Sequence, residues 1–148
     1  MSRLVVSALL ASVAAGIPDV FAAALLSRSS PGKILQTIAS GVLGEASYMG
    51  GGTSIAFGLG LQIAMSFVIA IVYNMAFLQV ESVRNYPFTA AALYGVVIFV
   101  VMNFVVVPLS RAHPQPQWNL VSVVVMLIVM ILFAEIIALI ATALVDRV

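Results

Sequence analysis

Four side chains with the chemistry of a site stand inside long apolar runs: Asp19, Gln62, Asn103 and Glu135. Two are carboxyls. At bilayer depth an ionisable group costs about 2.5–3.5 kcal/mol or more, and so raises a functional question by itself. A carboxyl there can take up a cation or a proton, or it can hold helices together. The two amides can ligate and hydrogen-bond but cannot titrate. Other chemistries find little support. With no cysteine, disulfides, thiolate metal sites, iron–sulfur clusters and cysteine nucleophiles are excluded. The one histidine, His113, sits in a His-Pro-Gln-Pro loop without a ligand set around it, so no metal site is expected. Gly58 and Gly60 lack the strand and lysine of a phosphate cradle and read as packing glycines. No nucleophile–base pair is apparent, so neither an enzyme nor a cofactor is expected.

The elements that position these residues follow from composition. The chain has 148 residues, 64% hydrophobic and 7% charged, with a mean hydropathy of +1.23. A soluble domain carries about 25% charged residues. Six basic and five acidic side chains cannot coat a water-soluble surface of this size, so the lipid bilayer is the solvent and the first partner. A net charge of +1 gives no reason to expect nucleic acid as a partner. Four apolar segments are each near the roughly 20 residues that span a membrane: 4–26, 54–80, 88–109 and 120–145. Strand alternation is absent, and backbone groups in hydrocarbon must be satisfied within the segment. The expected fold is therefore all-α: an integral membrane four-helix bundle in a single transmembrane domain, residues 1–148. The first segment also has the outline of a cleavable signal peptide, with Arg3 ahead of LVVSALLASVAAG. Its apolar run continues past the would-be cut, as a spanning helix does.

Between the first two spans, Ser30 is a natural N-cap and Pro31 a natural first helical residue. They predict a short helix over 31–40, too short to span, lying at the membrane interface or folded over the bundle mouth. Gly50-Gly51-Gly52 predicts a flexible re-entry into the second span. The termini and the loop between spans two and three share one side, with Arg3, Arg84 and Arg147. Arg28, Lys33 and Arg111 lie on the other. This near-tie tips towards termini inside through the amino group alone, and an antiparallel dual-topology homodimer satisfies it too. Tyr48, Tyr73, Tyr86 and Trp118 read as anchors at the headgroup level.

Helical rise places the polar residues in depth. Asp19, Gln62 and Asn103 lie roughly 6, 5 and 7 Å from the centres of their spans, all towards the side opposite the termini. One layer of three helices is predicted, either as a hydrogen-bond clamp or as a site for a ligand, ion or proton. The faces agree. Ala11, Ala15, Asp19 and Ala23 recur every four residues. Gly58, Gln62, Ser66 and Tyr73 share a face, as do Ala92, Gly95, Phe99 and Asn103. Pro18 has no N–H, which frees the Ala14 carbonyl near Asp19. Glu135 lies about 10 Å away in depth, on a face continued by Ala138 and Thr142. It reads as a contact to another helix or another protein, with a transport role as the alternative. Tyr94 is at a suitable depth to meet it.

Four stretches carry a resemblance: AGIPDV at Ala15–Val20, ILQTIASGVLG at Ile34–Gly44, GLGLQ at Gly58–Gln62 and YGVVIFVVMNFVVVPLS at Tyr94–Ser110. Together they make the chain resemble a family of small uncharacterised bacterial inner-membrane proteins of about four helices. The resemblance covers nearly the whole chain and places Asp19, Asn103 and Pro108 in the family's motifs. It implies a multi-pass location in the bacterial cell inner membrane. Where that pattern has a histidine this chain has Gln62, so no proton relay or metal site carries over.

The expected function is a non-enzymatic accessory, assembly or structural subunit, with a larger membrane complex or a second copy as partner. The alternative is a small transporter or channel-like protein with Asp19 as its binding or coupling carboxyl.

Overall fold

The computed structural model describes residues 2–112 and 119–146. His113, Trp118 and Arg147 lie outside them, so the loop histidine, one expected anchor and one charge of the topology count have no structural account. Within the described residues four helices are long and apolar enough to cross a membrane, and they pack as a bundle. The chain is thus a multi-pass membrane protein whose solvent is lipid over most of its surface.

Helix α1, Ser2–Ser27, runs unbroken through Pro18. It ends where Arg28 turns left-handed (φ 54°). Arg28 N–H donates to Leu25 O and Ser29 N–H to Ala24 O, the pattern with which helices usually stop at glycine. Helix α2, Pro31–Leu43, starts as the sequence predicts. The Ser30 side chain accepts from Lys33 N–H at 3.2 Å, and Pro31 opens the first turn. It runs three residues beyond 40 and stops at Gly44 (φ 68°), whose N–H caps it by donating to Ser40 O.

Gly50-Gly51-Gly52, expected as a flexible re-entry, instead cap and open the next helix, behind a 3₁₀ turn over Gly44–Met49. Ser47 Oγ pins it by donating to Gln36 O at 2.9 Å. Helix α3 then spans Gly51–Gln79, starting three residues earlier than predicted. A five-residue helix α4, Glu81–Asn85, makes the turn into α5, Pro87–Val101. The third span continues as a π-helical stretch over Met102–Val106 and finishes as α6, Val107–Leu109. Pro108 accounts for the widening. Its ring excludes the carbonyl four residues back and it has no N–H, so the turn ahead of it opens. Helix α7, Leu120–Leu144, is capped by Asn119, whose side chain accepts from Ser122 N–H at 2.7 Å.

Helix α1 packs along both α3 and α7, and α5 packs along α7. The seams are made of small residues, because backbones must approach closely where no water drives association. Ser7, Ala8, Ala11, Ser12, Ala15 and Gly16 of α1 are buried. A Cβ on Gly95 of α5 would lie 2.7 Å from Ile131 Cα of α7. Large apolar side chains point outward instead, among them Leu25, Phe21, Val68, Leu93, Phe104 and Leu132. Helix α2 does not lie free at an interface. It crosses the bundle mouth with its backbone against α3, and a Cβ on Gly58 would overlap the Leu35 carbonyl. Its far end reaches the third span, where Arg111 N–H donates to Gly41 O at 3.0 Å.

The two glycines of the GLGLQ stretch therefore have different tasks. Gly58→Ala should force α2 off α3 and lower stability by about 1–3 kcal/mol, the usual penalty of overpacking. Gly60→Ala meets open space and should be neutral or slightly stabilising. Thermal unfolding of the two variants in one detergent decides it.

Candidate intramembrane polar site

Helix α3 carries its polar residues along one buried face: Ser54, Gly58, Gln62, Ser66, Tyr73 and Asn74 are all enclosed. Gln62 meets α1 at its tightest point, where a Cβ on Gly16 would come within 2.7 Å of Ser66 Oγ. The Gln62 amide Nε2 donates twice, to Gly16 O at 3.1 Å and to Asp19 Oδ2 at 3.0 Å. This brings together two of the three residues that depth and face predict. Only one oxygen of Asp19 is engaged in the pair.

Asn103 is not part of it. From the π-helical stretch its amide Nδ2 donates back one turn to Phe99 O of α5, in the same span, at 2.9 Å. The carbonyl four residues back in the same span is within reach of this amide, and α5 packs along α7 rather than along α1. A common depth did not bring a common partner.

A second buried polar contact lies nearer the termini, at a residue the sequence reading passed over. Asn74 of α3 has no exposed surface. Its Nδ2 donates to Leu4 O at 3.3 Å and to Ser7 Oγ at 3.2 Å, and its Oδ1 is buried without a hydrogen-bond partner among the described residues. Its four-residue spacing from Ala70 and Ser66 on the same face is the signal that could have found it.

The tyrosines divide. Tyr73, expected at the headgroup level, is 2% exposed and inside the bundle, where its hydroxyl donates to Pro87 O at 2.6 Å. Its ring lies on Tyr94, centroids 5.6 Å apart. Tyr94 does not serve Glu135: its hydroxyl donates to Ile69 O at 2.8 Å. These two bonds join α3 to α5 in the half nearer the termini. Tyr48 and Tyr86 are exposed at opposite ends, Tyr48 donating to Thr37 Oγ1 at 3.2 Å.

Glu135 stands apart, about 5 Å from the middle of α7. It is half-buried, makes no hydrogen bond among the described residues, and lines an open surface groove with Phe88, Leu132, Ile136 and Leu139. Another groove opens at the end carrying the termini, between Ser2, Arg3 and Val6 of α1 and Ala143 and Leu144 of α7. Comparison with known protein families, curated proteins and solved structures finds no match.

The two amides offer a direct contrast. Gln62→Leu removes two bonds between helices and should lower stability by about 1–3 kcal/mol. Asn103→Leu removes a bond within one helix and should change it by no more than about 0.5 kcal/mol. Equal losses in a denaturant or steric-trapping titration would mean that Asn103 has a partner in the folded bundle.

Proposed function

We propose that this protein is a non-enzymatic subunit of a larger membrane complex, with an accessory, assembly or structural role, in a bacterial inner membrane. The location rests on the resemblance of its Ala15–Val20, Ile34–Gly44, Gly58–Gln62 and Tyr94–Ser110 stretches. The observation that carries the role is the division of the polar groups. Those between the helices tie one helix to another, through Gln62, Asn74, Tyr73 and Tyr94. Glu135, by contrast, sits in a groove on the outer surface with no hydrogen bond among the described residues. A bundle that uses its inner polar groups for cohesion and keeps an acid on an apolar outer face suits a component that docks on something else.

Extraction of the protein from its native membrane in lipid nanodiscs, followed by native mass spectrometry, tests this. A stoichiometric companion is expected. A lone monomer or a homodimer overturns the proposal.

One observation favours a transporter as the second reading: Asp19 uses a single carboxylate oxygen in its bond to Gln62, which leaves the other available to a cation or proton. Asp19→Asn separates the two. As a clamp, the variant keeps an acceptor for Gln62 and should shift the melting temperature by only a few degrees, with proton flux across vesicles unchanged. Loss of flux with the fold intact would instead make Asp19 a coupling group.

A further inference from the structure

Along the outer face of α7, Ile128, Leu132, Glu135, Leu139 and Thr142 follow one another at alternating intervals of four and three residues. That is the spacing of a seam into which a second helix packs, knobs into holes. Ile128, Leu132 and Leu139 are about half exposed, and Phe88 of α5 forms the facing wall of the groove around Glu135. In such a seam a single polar position fixes which helix docks and in what register.

From this geometry we infer that the groove receives a transmembrane helix of a partner protein. That helix carries a lysine, arginine or other cationic side chain at the depth of Glu135. The inference rests on the subunit reading and supplies its point of contact.

The occupant follows from charge. A carboxyl facing hydrocarbon near mid-span is stabilised by an opposite charge or a donor delivered from outside the chain. The Tyr73 hydroxyl, a donor inside the bundle, is already engaged by Pro87 O at 2.6 Å. A second copy of this chain cannot meet the need. No lysine, arginine or histidine lies in the middle of any of the four spans, so a second copy, parallel or antiparallel, brings no opposite charge to Glu135. Lipid tails bring neither charge nor donor. A cationic side chain on an apolar helix brings both, and its neighbours fill the seam beside Leu132 and Leu139.

The test places a photoreactive amino acid at Leu132 in the full-length protein in native membranes, with the crosslinked peptide sequenced. The expected product is a transmembrane helix of another protein with a lysine, arginine or histidine within about one turn of the crosslink. Its yield should fall about tenfold or more in Glu135→Gln, since one partner of a charge pair in a low-dielectric setting is then left alone. Leu139→Trp, which fills the groove and keeps the carboxyl, should abolish it. Crosslinks to lipid only, to a second copy, or to a helix with no cationic residue overturn the inference, as does a yield unchanged by Glu135→Gln. A stoichiometric companion that crosslinks only at other faces would leave the subunit reading standing and overturn this contact. The absence of any companion would overturn both.

Discussion

Hydrocarbon supplies no hydrogen-bond partner, so each polar group that enters the bundle must find one on the chain or keep an edge towards something outside it. The rest of the architecture follows from this constraint. Gln62 can donate to both Gly16 O and Asp19 Oδ2 only because α1 and α3 are in close contact. Close contact in turn requires the small residues of the α1 seam. Composition, packing and polar placement are thus linked. A larger residue at Gly16 would push the Gln62 amide away from its acceptors as well as filling space. The same logic acts near the termini, where Asn74 bridges to Leu4 and Ser7. Two polar stitches, one in each half of the span, fix the register between α1 and α3.

Much of the fold was legible because spanning helices must be long, apolar and internally bonded. The four spans, the Ser30–Pro31 start of α2 and the buried face of α3 all follow from residue type and spacing. The Asp19–Gln62 pair was legible for the same reason, since depth and face together leave few partners. Depth alone did not place Asn103. Its partner depended on which helices are neighbours and on the nearby Phe99 carbonyl of its own span, and neither can be read from helical rise. Tyr73 was misassigned to the headgroup region because an aromatic residue near a span end has two uses. The sequence does not show that Pro87 O would be waiting inside the bundle. Asn74 carried a weak signal for the opposite reason: one amide in a long apolar run is easily passed over, though its spacing from Ser66 and Ala70 marks the buried face.

Glu135 marks the limit of internal satisfaction. Asp19 has its amide, Asn103 its own carbonyl and each inner tyrosine a backbone oxygen, whereas the second acid has a groove. Around α1 the Asn74 Oδ1 is the one buried side-chain polar atom left over among the described residues, whereas the face formed by α5 and α7 leaves a whole carboxyl turned outward.

Helix α2 has a mechanical consequence. By direct packing the spans form a row in which α3 and α5 are not close neighbours, and a row can fan open. Tyr73 and Tyr94 close it in one half, and α2 closes it at the other end, bearing on Gly58 and bonded through Gly41 to Arg111. The row thereby becomes a hoop. In a hoop no single span can tilt or slide alone, so a force applied to α7 from outside would be transmitted to all four helices at once.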